Sequence, residues 1–127
     1  MEIGHFAMYV LDLENMKDFF VRYFNAESNE LYHNRHSGFK SYLLSFDNGS
    51  QLEIMTRPEL SGEETNHLRC GYIHMAFKVG SKEKVDKLTE KLRNDGYEIV
   101  SGPRTTGDGC YESCINGPEN NLIEITV

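Results

Sequence analysis

Two histidines and two glutamates recur in matched company along this chain. His5 stands in "IGHFAMYV" and His74 in "YIHMAFKV", 69 positions on (74 minus 5), with Ala7 and Ala76, then Val10 and Val79, repeated at the same offset. Glu53 stands in "LEIM" and Glu124 in "IEIT", 48 residues after His5 (53 minus 5) and 50 after His74 (124 minus 74). A carboxylate flanked by apolar residues inside a strand must face water or be paired, because an unpaired buried ion costs several kcal/mol. Two imidazoles and two carboxylates from equivalent strands satisfy one another around a divalent cation. Such a donor set suits nickel, cobalt, zinc, iron(II) or manganese, and an octahedral ion keeps positions open for water or substrate. Open positions point to catalysis rather than to a structural metal.

Taken singly, each residue has a plainer reading. A lone strand histidine is more often a hydrogen-bonded core residue, and a lone strand glutamate the solvent-facing member of an alternating pattern. Repetition of all four at matched places is what favours a shared ion. His33 and His36 in "HNRH" read as surface residues, and His67 falls in a connector. Cys110 and Cys114, with Glu112 between them, fit one strand face lining a cleft, and fit small buried residues equally well. The glycine-rich "TTGDG" at 105–109 lacks the strand-to-helix setting of a phosphate loop and reads instead as a mobile rim of the cleft.

The elements that must position these groups follow from periodicity. Residues 2 to 10 alternate as a strand, with His5, Ala7 and Tyr9 on one face. Asp12 caps a helix whose Met16, Phe19, Phe20, Tyr23 and Phe24 form one apolar stripe. Residues 27 to 57 hold three strands, including "FKSYLLSF" and "SQLEIM", joined at the hairpin signal Asn48-Gly49. A polar connector with Pro58, Gly62 and two adjacent glutamates runs from Arg57 to Gly71. The order then returns: a strand through "GYIHMAFKV", and a helix capped by Ser81, with a stripe at Val85, Leu88 and Leu92 and a stop at Gly96. Strands near "YEIVSG" and "CYESCIN", a turn at "GPENN" and a last strand "LIEITV" complete it.

The chain therefore reads as one α+β domain, residues 1–127, made of two tandem βαβββ modules (about 1–60 and 70–127). Their curved mixed sheets are expected to form a cleft, with the helices covering the outer faces.

Bulk properties narrow the function. The 127 residues suffice for one core without staples, and no stretch approaches the roughly 20 apolar residues of a membrane span. A net charge of −7 with no basic stripe argues against nucleic acid or anionic lipid as partner. Three cysteines, an odd count, fit a reducing compartment better than a disulfide framework. With no basic leader at the amino terminus, a cytoplasmic address follows.

The arrangement resembles the vicinal-oxygen-chelate superfamily, and within it a small bacterial glyoxalase I (lactoylglutathione lyase). "GHFAMYV", "LEIM", "YIHMAFKV" and "GPENNLIEIT" carry the resemblance, and "GPRTTGDGCYES" is similar to a segment common in bacterial members. The resemblance implies the glyoxalase/bleomycin resistance/dihydroxybiphenyl dioxygenase fold and one divalent ion per site (Ni, Zn or Co), held by His5, Glu53, His74 and Glu124. It also implies a homodimer and isomerisation of the hemithioacetal of a 2-oxoaldehyde and a thiol through an enediolate. Glu124 is then the base, with Glu53 a ligand throughout or the partner for the opposite stereoisomer.

Two departures bear on the substrate. Glyoxalase I typically has an arginine four residues after the first ligand, where this chain has Tyr9, and an asparagine four after the second, where it has Arg57. A displaced arginine takes over the substrate anion, or the thiol or the whole substrate differs. Tyr9, Arg57 and Lys78 are the candidate substrate-binding residues. A non-catalytic antibiotic-binding resistance protein and a metal-dependent thiol transferase that opens an epoxide antibiotic stay as alternatives, the latter needing only three protein ligands.

Overall fold

The computed structural model describes residues 1–62 and 66–127, and backbone contacts group the chain into two units, Met1–Glu64 and Thr65–Val127. The first runs β1 (Phe6–Tyr9), α1 (Leu13–Phe24), β2 (Glu27–Ser28), β3 (Tyr32–His33), β4 (Lys40–Ser45) and β5 (Gln51–Thr56). The second runs β6 (His74–Lys78), α2 (Lys82–Asn94), β7 (Glu98–Thr105), β8 (Tyr111–Asn116), a turn at Pro118–Asn120 and β9 (Leu122–Thr126). The adjacent glutamates of the expected connector, Glu63 and Glu64, lie outside the described residues.

Both sheets are mixed and share one plan. In the first the order is β1-β5-β4-β2, with β3 also on β4, and in the second it is β6-β9-β8-β7. Each opening strand lies at an edge, parallel to its unit's closing strand, and the other pairings are antiparallel. A parallel pair needs a long crossover, which the helix and hairpins between the two strands supply. The duplication is visible in register, since Ala7 pairs with Glu53 and Ala76 pairs with Glu124.

Both helices start where the caps predict. The Asp12 carboxylate accepts from Asn15 N at 3.0 Å, and the Ser81 hydroxyl accepts from Lys84 N at 3.2 Å. Leu13, Met16, Phe19, Phe20 and Tyr23 of α1 are buried, as are Leu44, Leu52 and Ile54 of the sheet it covers. Each such side chain contributes about 1.5–3 kcal/mol on leaving water. Gly96, at φ 95°, ends α2, with Tyr97 N donating to Leu92 O and Gly96 N to Arg93 O, both at 3.0 Å.

Several expectations need correction. The first strand covers Phe6–Tyr9 rather than 2–10. Its partner β5 begins at Gln51, directly after a hairpin and one residue before Leu52, which lies opposite Phe6, so residues 2–4 run past the start of β5. The three strands expected over 27–57 are four pieces. The Asn34 side chain accepts from His36 N and Ser37 N, closing a turn that interrupts the run. The α2 stripe is Val85, Thr89 and Leu92, with Leu88 only half-buried. Thr89 tolerates burial because its hydroxyl donates to Val85 O and also meets Ser113 Oγ, each at 2.6 Å.

The hairpin expected at Asn48-Gly49 and the segment 105–109, read as a rim of the cleft, have one geometry. Phe46 N donates to Ser50 O and Gly49 N to Phe46 O, with Gly49 at φ 84°. Thr106 N donates to Cys110 O and Gly109 N to Thr106 O, with Gly109 at φ 92°. Both are three-residue hairpin loops with glycine in the left-handed place. The segment 105–109 is thus a hydrogen-bonded hairpin tip joining β7 to β8.

Candidate functional site

Alternation along β5 places Leu52 and Ile54 under α1 and leaves Glu53 on the opposite face, between Ala7 of β1 and Leu43 of β4. Along β9, Ile123 and Ile125 are buried and Glu124 stands on the other face, between Ala76 of β6 and Cys114 of β8. His5 immediately precedes β1, and His74 opens β6. Each lies two residues before the alanine that faces the glutamate. The small alanine leaves room for the imidazole to lean over to the carboxylate.

The outcome is one imidazole–carboxylate pair per unit. His74 Nε2 is 3.1 Å from Glu124 Oε2, and His5 Nε2 is 3.7 Å from Glu53 Oε2. The first is a hydrogen-bond distance and the second is not. The carboxylates are mostly covered, with side chains 20% and 29% exposed. Neither pair is masked from solvent, so its nitrogen and oxygen remain available to a third group. The structure brings together His5 with Glu53 and His74 with Glu124. Among the described residues it gathers no group of three or more His, Cys, Asp or Glu side chains close enough to hold an ion.

The donor chemistry fits a divalent cation. Two ligands each about 2.1 Å from one ion and about 90° apart lie about 3.0 Å from each other. The His74–Glu124 separation of 3.1 Å is close to that value, and the His5–Glu53 separation of 3.7 Å is somewhat wider.

Of the remaining candidates, Tyr9 and Arg57 come together. Tyr9 ends β1 and Arg57 follows β5, each four residues beyond its unit's histidine or glutamate. The Arg57 guanidinium donates to the Glu59 carboxylate at 2.8 Å and hydrogen-bonds the Tyr9 side chain. These contacts, Glu59 first, hold Arg57 above its ordinary pKa, and Arg57 in turn holds Glu59 below the usual carboxylate range. Glu59 was not a sequence candidate, although a carboxylate two residues after an arginine, across Pro58, is a visible signal. Lys78 ends β6 opposite Thr126, four residues after His74, and is exposed. His33 is half-buried in β3, while His36 and Cys110 are exposed. Cys114 shares the face of Glu124, and burial, then the charges of Glu124 and Glu112, push its thiol up.

Comparison with known proteins agrees with this architecture. Residues 2–125 match the family model of the Glyoxalase/Bleomycin resistance protein/Dioxygenase superfamily. The "Uncharacterized protein YqjT" of Bacillus subtilis (strain 168) is 27% identical over 124 residues, 95% of this chain and 94% of that one. A glyoxylase/bleomycin resistance protein/dioxygenase domain from Frankia sp. EAN1pec superposes with a TM-score of 0.84 at 14% identity, covering 100% of this chain and 97% of its own. A mutant of the genomically encoded fosfomycin resistance protein FosX from Listeria monocytogenes, complexed with Mn(II) and 1S,2S-dihydroxypropylphosphonic acid, superposes with a TM-score of 0.76 at 26% identity. That match covers 98% of this chain and 90% of FosX. With its doubled strand-helix-strand plan and a family match along nearly its whole length, this chain belongs to the glyoxalase/bleomycin resistance protein/dioxygenase superfamily.

Proposed function

We propose that His5, Glu53, His74 and Glu124 together hold one divalent cation, and that the protein is a metal-dependent lyase or isomerase of the glyoxalase I type. Its substrate is the hemithioacetal of a 2-oxoaldehyde and a thiol. The observation that supports this most is the repeated pair: the same two residue types, in the same strand register, within 3.1 Å and 3.7 Å of each other in the two units. Nickel, zinc and cobalt all suit two imidazoles and two carboxylates. Such an ion, when bound, polarises adjacent substrate oxygens and makes the neighbouring carbon-bound hydrogen acidic.

Glu124 takes that proton and returns it to the adjacent carbon, with His74 steadying its Oε2. Glu53 serves as a ligand, or as the base for the opposite stereoisomer. Arg57, braced by Tyr9, receives a carboxylate of the thiol, and Lys78 adds a second cation on the other unit. Three free thiols accord with the cytoplasm as its compartment, and a homodimer completes the proposal.

A second reading is opening of an epoxide antibiotic, favoured by the 26% identity to FosX with its Mn(II) and its phosphonic acid ligand. Elemental analysis of the purified protein is the first test, repeated on His5→Ala and Glu124→Gln. Turnover of methylglyoxal with glutathione or another cellular thiol, set against loss of fosfomycin, then separates the two activities. Stoichiometric metal retained in both variants overturns the shared site.

A further inference from the structure

We infer that Arg104 is a substrate-positioning residue, aimed by two bulges in β7 onto the face of Glu124 to receive an oxyanion of the substrate, a carboxylate or a phosphonate. The inference rests on the reading above that this face meets the substrate.

The pairing of β7 with β8 is irregular. Ile99 pairs with Ile115, Ser101 with Cys114 and Arg104 with Glu112. Over the first interval β7 advances two residues while β8 advances one, and over the second it advances three (104 minus 101) against two (114 minus 112). Each interval holds one extra residue in β7, which is a bulge. Side chains alternate between faces, so the first bulge turns Ser101 onto the face of Cys114. The second puts Arg104, rather than Pro103, opposite Glu112.

The second bulge is written into the chain. Gly102 has φ 80°, and a Cβ there would lie 2.5 Å from Glu112 O and 3.0 Å from Ser113 Cα. Only glycine fits where the backbone presses so closely on β8. A regular ladder is given up at this place, and what is gained is the direction of Arg104.

That direction completes a row of side chains next to Glu124. Lys78 lies opposite Thr126, Thr126 opposite Glu112, and Glu112 opposite Arg104. The adjacent row is Ala76, Glu124, Cys114 and Ser101. A cation therefore stands on each outer strand. Among the described residues neither Lys78 nor Arg104 makes an ion pair or a side-chain hydrogen bond. Arg104 acts on Asp108 as the weakest of several influences.

Lys78 and Arg104 offset the carboxylates of Glu98 and Glu112 that share this face with Glu124. Arginine offers a planar fork that grips an oxyanion with two hydrogen bonds. Arg104 stands two strands from Glu124, about 10 Å away across the sheet. The substrate class is thus a molecule whose reacting carbon lies at Glu124 and whose anionic group extends toward β7.

The test uses the full-length zinc-loaded protein, NMR titration with methylphosphonate and with acetate, and zinc content by elemental analysis. Arg104→Gln is expected to weaken binding of the preferred probe by about ten- to a hundredfold, the loss of a charge-assisted hydrogen bond, with zinc content unchanged. Arg104→Lys should recover part of that loss, and the stronger of the two probes identifies the oxyanion. Equal affinity in wild type and Arg104→Gln, or no binding of either probe by wild type, overturns the inference. A wild type that takes up no zinc yet loses oxyanion affinity in Arg104→Gln sinks the proposed function and upholds the role of Arg104.

Discussion

Cys114 faces Glu124 directly across the β8–β9 ladder, in the place that Leu43 takes opposite Glu53 in the other unit. Burial raises its thiol pKa, and the charges of Glu124 and Glu112 raise it further. A raised pKa leaves less thiolate at a given pH, and the thiolate is the nucleophile. Cys70 and Cys110 are exposed. Iodoacetamide at pH 8 should modify those two first and Cys114 last, because Cys114 is partly buried and its raised pKa leaves it less thiolate. Peptide mapping over time checks the order, and Cys114 labelled as early as Cys110 contradicts it.

Glu53 separates the two enzymatic readings. Glu53→Gln keeps the size of the side chain, and Glu53 is partly exposed, so the fold should survive. If four residues bind the ion, this change weakens zinc affinity at least about a hundredfold, more than the loss of an outer partner causes. A three-ligand epoxide-opening enzyme would keep its metal after Glu53→Gln and lose it after Glu124→Gln. Competition with a fluorescent zinc chelator measures both variants.

The sequence carried the helices, their caps and the first hairpin because each is a local device: Asp12, Ser81, Gly96 and Asn48-Gly49 act on neighbours within a few residues, whereas the hairpin at 107–109 reads in the sequence only as a rim of the cleft. The correspondence of His5 with His74 and of Glu53 with Glu124 was legible for a different reason, although the sequence suggested four ligands of one ion and not the imidazole–carboxylate pair seen within each unit. Two copies of one unit repeat the same company, and the repeat stands for a register that a single copy does not reveal. Features set by a distant partner stayed hidden. The length of β1 depends on where β5 starts, and the burial of Thr89 depends on Ser113, 24 residues on. Arg104 escaped notice because a bulge shifts every later side chain to the other face, so simple alternation along "EIVSGPRT" misassigns it.

The Thr89–Ser113 contact ties α2 to β8 inside the second unit, with both residues 1% exposed. Thr89→Val leaves the Ser113 hydroxyl buried without that partner, and should cost about 1–3 kcal/mol. Ser113→Ala should cost less, since the Thr89 hydroxyl keeps its bond to Val85 O. The double variant, with both hydroxyls gone, should cost clearly less than the sum of the two. Urea unfolding of the four proteins closes the cycle, and simple additivity would show that the hydroxyls do not depend on each other.

Glu14 ties α1 to β4 in the first unit through a contact that senses pH. The Tyr42 hydroxyl donates to Glu14 Oε1 at 2.7 Å, and Lys17 Nζ is 2.8 Å from Glu14 Oε2 and 4.8 Å from the centre of the Tyr42 ring. Lys17 first, then Tyr42, hold the Glu14 carboxyl below its ordinary value of 4.5. The unfolded chain then takes up the proton at higher pH than the folded one, so this group's stabilisation is full above 4.5 and is lost as pH falls through the lower folded value. The Glu14 side chain is 59% exposed, and screening by water limits the whole effect to about 1 kcal/mol or less. Tyr42→Phe should therefore lose up to about 1 kcal/mol at pH 7, by urea unfolding, and the gap from wild type should shrink steadily as pH falls below 4.5 and Glu14 takes up its proton. A gap that stays constant down through the acid range would mean that the tyrosine hydroxyl stabilises the unit independently of the Glu14 charge.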